Sequence, residues 1–104
     1  MTTKFTILGK EISRFKKPYI IAEACINHEG KISLAKKMVD EAVKAGVSAV
    51  KFQFHVLDDE MLKETPKSSN FSESLYDTLD RTNLTINEHK YLKSYCEKKK
   101  IDYL

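Results

Sequence analysis

Two stretches decide the fold of this chain: Tyr19-Ile20-Ile21-Ala22-Glu23 and Ala49-Val50-Lys51-Phe52-Gln53. Each is an apolar run that predicts a strand buried on both faces, with polar side chains at its C-terminal end. Side chains alternate along a strand, so Lys51 and Gln53 share one face. On neighbouring parallel strands, these two groups and Glu23 would converge at one rim. A β/α barrel builds its active site in this way.

The segment between the two strands predicts a helix. Residues 24–31 indicate a loop, and residues 33–45 carry apolar side chains at helical spacing, with Ser33 as the expected N-cap. Gly46 stands where a helix C′ residue is expected, and the second strand follows over residues 47–54. The result is a βαβ unit with a right-handed crossover.

The rest of the chain continues the same alternation. The connection over residues 55–83 is long, with a helical turn predicted over 58–63 and a short helix over 72–81. Thr85-x-x-Glu88 is a capping-box pattern that predicts a second full helix. Ile101 then begins a third strand.

These patterns predict an α/β fold. We interpret residues 1–104 as one incomplete TIM (β/α)8 barrel domain, with a small hairpin over 1–17 and about two and a half βα units over 18–104. A complete barrel needs about 250 residues, so we expect the chain to be the N-terminal fragment of a larger protein.

The composition excludes several functional classes. The 104 residues are 41% hydrophobic and 32% charged, with a net charge of +3. The lysines are dispersed and no nucleic-acid-binding motif accompanies them, so no nucleic-acid partner is expected. No apolar run approaches the ~20 residues of a membrane helix. Cys25 and Cys96 form no CxxC pair and no secretion signal is visible, which predicts reduced thiols in a cytoplasmic protein.

Three motifs carry a resemblance to a known family: Ile20-Ile21-Ala22-Glu23, Asn27-His28-x-Gly30 and Val50-Lys51-Phe52-Gln53. At this spacing the chain resembles the sialic acid synthases, which make N-acetylneuraminate, legionaminate or pseudaminate. The similarity continues through Asp59-Glu60-Met61 and the helix after Thr85. It implies a TIM barrel followed by a small antifreeze-like C-terminal domain, which is absent from these residues.

The resemblance also implies a reaction. Phosphoenolpyruvate condenses with the open-chain aldehyde of N-acetylmannosamine or a related N-acyl sugar, giving a nonulosonic acid and phosphate. A divalent metal, Mn²⁺ or Mg²⁺, polarises the aldehyde in the family. Its histidine ligands come from later strands, so we assign no metal ligand in this chain. The complete enzyme is expected to be a homodimer.

Four residues match family positions. The resemblance implies that Lys51 binds phosphoenolpyruvate, that Glu23 is a catalytic group at the sugar and metal end of the site, and that Gln53 contacts a ligand. Asn70 matches a sugar-contacting residue on the long loop. The alternatives stay open: a structural Glu23–Lys51 ion pair, a barrel-core amide for Gln53, and a solvated loop residue for Asn70.

The three histidines and Cys25 are given no catalytic role. We expect His28 to be a hydrogen-bonded structural residue and His89 to lie on the surface, and we assign no role to His55. The family often has glycine where Cys25 stands. A small side chain replacing glycine explains Cys25 better than a nucleophile does, because no base accompanies it.

Two other functions compete with the synthase hypothesis. Eight-carbon and seven-carbon sugar acid synthases also use phosphoenolpyruvate on a barrel, but their strand motifs differ. A truncated, non-catalytic barrel would instead be a binding or interaction module that uses its exposed edge strands. For the isolated 104 residues we predict no synthase activity.

Overall fold

The structure is a computed structural model that describes residues 3–104. Its elements in chain order are β1 (Lys4–Ile7), β2 (Lys10–Ser13), β3 (Ile21–Cys25), α1 (Ile32–Ala45), β4 (Ala49–Phe52), α2 (Leu57–Glu60), α3 (Leu75–Thr82), α4 (Ile86–Lys99) and β5 (Asp102–Tyr103). Strands β3, β4 and β5 form one parallel sheet in that order, and β1 pairs with β2 in an antiparallel hairpin. Consecutive parallel strands joined through helices confirm the predicted β/α architecture.

The predicted hairpin is present and turns at Leu8 and Gly9. Both residues have positive φ (46° and 83°), as a two-residue hairpin turn with right-handed strand twist requires. Lys10 Nζ donates to the carbonyl oxygen of Ser48 (2.8 Å) and to Asp102 Oδ2 (3.0 Å). The hairpin therefore closes the end of the sheet where β4 and β5 begin.

A tyrosine strengthens this closure. Tyr19 OH donates to Asp102 Oδ2 at 2.7 Å, and the Lys10 ammonium lies 5.6 Å from the centre of the Tyr19 ring. Burial and the hydrogen bond to Asp102 raise the pKa of Tyr19 to about 12. The phenol therefore stays a neutral donor over the physiological pH range.

The core lies between one face of the parallel sheet and the helices α1 and α4. Apolar side chains at helical spacing on both helices meet the alternate residues of β3 and β4 that point toward them. The buried members of this cluster are Ala24, Ala35, Val39, Ala42, Val50, Phe52, Leu84, Leu92, Cys96 and Ile101. The opposite face of the sheet, which faces the barrel interior in this fold, carries the polar strand ends.

Helix α1 begins differently from the prediction. Lys31 is the N-cap and makes no side-chain cap, so the Ser33 cap is wrong. The chain enters the helix from a tight turn in which the Lys31 N–H donates to the His28 carbonyl oxygen (3.0 Å), so Ser33 is already inside the first turn. The other end is as predicted, with Gly46 in the left-handed conformation (φ 75°).

Helix α4 begins with the predicted capping box. Thr85 Oγ1 accepts from the Glu88 N–H (3.1 Å), and Glu88 Oε2 accepts from the Thr85 N–H (2.7 Å). The surface position predicted for His89 in this helix is wrong. Its ring packs edge-on against Phe54 at 5.2 Å, and Nδ1 hydrogen-bonds to Tyr103 OH of β5. Burial lowers the pKa of His89.

The long connection between β4 and α4 is ordered, as predicted. The Tyr76 N–H donates to Thr65 Oγ1 (2.9 Å) and Tyr76 OH donates to Asp58 Oδ1 (2.7 Å), so α2 and the loop that follows it are both joined to α3. Gly30 lies close to the end of α3, because a Cβ at Gly30 would be 2.6 Å from the Arg81 carbonyl oxygen. Among the described helices, none is long and apolar enough to cross a membrane.

Candidate functional site

The two charged side chains predicted to converge at the C-terminal ends of neighbouring strands do meet there. Strands β3 and β4 run parallel, with Glu23 directly opposite Lys51. Lys51 Nζ lies 3.4 Å from Glu23 Oε1, and about half of each side chain is exposed (50% and 54%). The geometric prediction is therefore confirmed: both groups point to the same side of neighbouring parallel strands.

A bulge shapes this end of β3. The register shifts between Glu23 and Cys25, and Cys25 has a φ of 52°, in the left-handed region that favours glycine. Strand β3 runs over Ile21–Cys25, two residues later in the chain than the predicted residues 19–23. The bulge places the Cys25 thiol 3.8 Å from Glu23 Oε2, where it donates a weak hydrogen bond. The left-handed backbone is the physical reason why glycine suits this position.

A second polar group follows β4, which ends at Phe52, two residues before the predicted end. Gln53 Oε1 lies 3.3 Å from His55 Nε2, and His55 Nδ1 lies 2.8 Å from Glu60 Oε2. Asn83 fixes the backbone of His55 by donating to its carbonyl oxygen (2.7 Å) and accepting from its N–H (3.3 Å).

Sequence reasoning missed this network. The two-residue spacing of Gln53 and His55 indicates that their side chains can contact each other, because side chains two residues apart lie on the same side of an extended chain. Glu60 and Asn83 reach His55 only through the folding of the long connection, which no periodicity in the sequence indicates. The hydrogen bond from His55 is the main cause that lowers the pKa of Glu60.

Asn70 stands apart from the other predicted residues. It is exposed on the loop between α2 and α3, where its backbone N–H donates to Ser68 Oγ at 3.4 Å. No hydrogen bond within residues 3–104 joins Asn70 to Glu23, Lys51 or Gln53. The sugar contact of Asn70 therefore stays a prediction.

His28 anchors the loop below the rim. Its side chain is fully buried, its ring centre lies 5.9 Å from that of Phe52, and Nδ1 accepts from the Gly30 N–H at 3.0 Å. Burial is the main cause that lowers its pKa, with a smaller contribution from the nearby His89. His28 is thus a neutral residue that shapes the loop, as interpreted from the sequence.

A metal site would need several ligands close together. Residues 3–104 contain no group of three or more His, Cys, Asp or Glu side chains placed to hold a metal ion. The described side chains therefore supply no complete ligand set for the metal of the resembled family.

Comparison with known proteins identifies the family. Residues 38–104 match the NeuB family. The sequence is 34% identical over 95 residues to the N,N'-diacetyllegionaminic acid synthase of Campylobacter jejuni, covering 86% of this chain and 28% of that protein. It is 40% identical over 81 residues to the N-acetylneuraminate-9-phosphate synthase of Drosophila melanogaster, covering 78% of this chain and 18% of that protein.

A solved structure agrees with the sequence matches. The N-acetylneuraminic acid synthetase of Leptospira borgpetersenii serovar Hardjo-bovis superposes with a TM-score of 0.74 at 28% identity, over 99% of this chain and 33% of that chain. The chain thus spans a third or less of the length of these proteins. The likeness confirms the TIM-barrel fold class. Together with the matched motifs, it shows that this chain belongs to the NeuB family, the family of the sialic acid synthases.

Proposed function

We propose that this chain carries part of the substrate site of an enzyme that condenses phosphoenolpyruvate with N-acetylmannosamine or a related N-acyl sugar. The observation that carries the proposal is the convergence of Glu23 and Lys51 at one rim of a NeuB-family barrel sheet. A carboxylate and an ammonium on rigid strand ends provide fixed charges for a small anionic substrate.

Lys51 is proposed to bind phosphoenolpyruvate. Its ammonium carries three N–H donors, and its described contact is the Glu23 carboxylate at 3.4 Å. Half of the side chain is exposed on the face toward the barrel interior. Donors therefore remain for the phosphate or carboxylate oxygens of the substrate, and charge-assisted hydrogen bonds to such oxygens are among the stronger ones.

Glu23 is proposed as the catalytic carboxylate. Its Oε1 faces Lys51 and its Oε2 faces the Cys25 thiol, so the group is held from both sides yet half exposed. From this position it accepts a proton from, or orients, a hydroxyl of the acceptor sugar. Gln53 is proposed to contact a substrate oxygen, and Asn70 to contact the sugar from the long loop.

The proposed reaction balances without a covalent enzyme intermediate. Carbon 3 of phosphoenolpyruvate attacks the aldehyde carbon of the sugar, and the aldehyde oxygen takes a proton and becomes a hydroxyl. Water attacks the resulting cationic carbon 2 and gives up its two protons, one of which balances the proton taken by the aldehyde oxygen. The bond between carbon 2 and the phosphate oxygen breaks, which leaves a 2-keto group and free phosphate. The divalent metal of the family, Mn²⁺ or Mg²⁺, would supply polarisation of the aldehyde, and we assign it no ligand among the described residues.

We propose that the reaction takes place in the cytoplasm. Cys25 and Cys96 are both free thiols, which fits a cytoplasmic enzyme. A homodimer is proposed for the complete enzyme. The isolated 104 residues are expected to be inactive, because they supply only a few groups of the site.

A chimaera tests the proposed function. Residues 1–104 replace the aligned segment of the C. jejuni synthase, and phosphate release is followed with phosphoenolpyruvate, Mn²⁺ and a panel of N-acyl sugars. The parent synthase is the positive control. We expect turnover that depends on Lys51 and Glu23. A chimaera that folds like its parent but releases no phosphate with any sugar would contradict the proposal.

A further inference from the structure

We infer that Glu73 and Arg81 are positioning residues that hold the turn carrying Asn70 against helix α3. The inference rests on the proposed function, because Asn70 acts there as the contact to the acceptor sugar. It adds two residues of the long connection to the proposed substrate site.

The first argument is the shape of the turn. The Phe71 N–H donates to the Ser68 carbonyl oxygen at 3.1 Å, so residues 68–71 form a closed turn that exposes Asn70. Lys67 and Ser74 form an antiparallel bridge on either side of this turn. The two ends of the segment therefore lie side by side, and Asn70 lies in the turn between them.

The second argument is the pair that fixes this segment to α3. Arg81 Nε and Nη2 both donate to Glu73 Oε1, at 3.0 and 2.5 Å. Glu73 directly precedes Ser74, the N-cap of α3, whereas Arg81 lies in the last turn of the helix. A planar guanidinium that donates through two nitrogens fixes the direction of its partner as well as the distance. The chain on the C-terminal side of the turn is therefore held along α3.

The third argument is that the same arginine reaches the loop after β3. The Arg81 carbonyl oxygen lies so close to Gly30 that a Cβ there would be only 2.6 Å away. The Gly30 N–H in turn donates to Nδ1 of the buried His28 at 3.0 Å. Gly30 belongs to the loop that follows the strand of Glu23. Arg81 thus joins the Asn70 turn, through its side chain, to this loop of the proposed site, through its main chain.

The fourth argument separates this pair from an ordinary surface ion pair. Lys44 and Glu41 lie three residues apart on one helix, so their contact holds no other segment in place. The Glu73 side chain is only 30% exposed, and the hydrogen bond from Arg81 is the main cause that lowers its pKa. The Glu73 carboxylate is therefore ionised and able to hold Arg81 at neutral pH.

The expected consequence for catalysis is a change in the apparent affinity for the sugar. A turn that holds Asn70 in place only part of the time raises the apparent KM for the sugar in proportion. An exposed ion pair contributes a factor of about 5 at most to such an equilibrium. Binding of phosphoenolpyruvate, which is proposed for Lys51, should not depend on the turn.

Relaxation measurements by nuclear magnetic resonance on the ¹⁵N-labelled chain test the pair without catalysis. We expect residues 69–72 to be nearly as ordered as α3 in the unmodified chain, and their backbone order parameters to fall below about 0.6 in Glu73→Ala. Asp77→Ala is the matched control, because it removes an exposed carboxylate from the first turn of α3 that forms no ion pair among residues 3–104. Order parameters that Glu73→Ala leaves unchanged, or that both substitutions lower equally, would overturn the inference.

Kinetics in the chimaera test the consequence for the sugar. Glu73→Ala should raise the KM for the N-acyl sugar about 5-fold and change the KM for phosphoenolpyruvate less than about 2-fold. Arg81→Leu should have the same effect, and Asp77→Ala should change neither KM by more than about 2-fold. An equal rise in both KM values would show a general structural defect and would contradict the positioning role.

A double-mutant cycle with Asn70 tests whether the pair acts through that residue. Asn70→Ala alone should raise the KM for the sugar. In the Asn70→Ala background, Glu73→Ala should add less than about 2-fold, because the side chain that the pair positions is already gone. A full further increase of about 5-fold would show that the pair acts elsewhere.

The two proposals fail in different ways. If the unmodified chimaera turns over but Glu73→Ala behaves like Asp77→Ala, the positioning role is wrong and the proposed function stands. If the unmodified chimaera is folded and releases no phosphate, the proposed function is wrong, and the relaxation measurement still decides whether Glu73 and Arg81 hold the turn.

Discussion

Replacing Lys51 by alanine separates a binding role from a structural ion pair. The pair with Glu23 has a distance of 3.4 Å, and both side chains are about half exposed (50% and 54%). Solvent screens such pairs, and their typical contribution to folding is at most about 1 kcal/mol. We therefore expect Lys51→Ala to lower the free energy of unfolding of the chain by less than about 1 kcal/mol.

The expected effect on binding is larger. A hydrogen bond between an ammonium and a substrate oxyanion contributes about 1.5–3 kcal/mol. Its loss corresponds to an increase of about 10- to 150-fold in the Kd for phosphoenolpyruvate. If Lys51 binds the substrate, the larger effect of Lys51→Ala should therefore appear in phosphoenolpyruvate binding rather than in stability.

Two measurements and one matched control decide the matter. Urea denaturation of the chain gives the stability change, and titration calorimetry of the chimaera gives the Kd. Lys44→Ala is the control, because Lys44 forms an exposed pair with Glu41 at 3.1 Å on α1, away from the rim. A stability loss above about 2 kcal/mol together with unchanged phosphoenolpyruvate binding would show that the Glu23–Lys51 pair is structural.

Three further predictions concern the fold around the site. Gly30→Ala should destabilise the chain by about 2–4 kcal/mol, since φ is 75° and the new Cβ would meet the Arg81 carbonyl oxygen at 2.6 Å. Gly46 has the same φ but open space around a new Cβ, so Gly46→Ala should lower the free energy of unfolding by only about 1 kcal/mol in urea denaturation. Equal losses of stability in the two variants would contradict the close approach of Gly30 to Arg81. Cys25→Val should lower the free energy of unfolding by about 1 kcal/mol more than Cys25→Gly, because a β-branched side chain resists the left-handed conformation at φ 52°. Equal urea midpoints for the two variants would argue against the bulge. The unfolding free energy should fall as the pH drops below about 6.5, by up to about 1.4 kcal/mol per pH unit for each of His28 and His89. The pKa of each is lowered in the folded state, so the unfolded chain binds more protons in that window. Glu60 and Glu73, whose pKa values are also lowered, change the free energy of unfolding only below about pH 4.5. A free energy of unfolding that stays constant from neutral pH down to that value would therefore refute the burial of the two histidine rings.

Local patterns predicted the parts of the fold that depend on neighbouring residues. The alternation of apolar and polar side chains placed Glu23 and Lys51 on one face, and the Thr85–Glu88 spacing placed the start of α4. Gly46 marked the end of α1 because a left-handed residue was required there. Each of these features arises within one element or one strand pair.

The features that sequence reasoning missed arise between distant elements. His89 is shielded by Tyr103 and Phe54, which belong to other parts of the chain, so its helical position alone suggested a surface residue. The bulge before Cys25 breaks the two-residue period on which strand prediction depends. The partners of His55 come together only after the long connection folds, which the sequence pattern could not indicate.

The contact between Lys10 and Asp102 has a consequence for biosynthesis. The two residues are 92 positions apart, and the salt bridge joins β2 to β5. During translation the N-terminal hairpin emerges from the ribosome early, but its carboxylate partner appears only after both long helices have been made. The Lys10–Asp102 salt bridge cannot form during that interval, and its closing is expected to be a late event in folding.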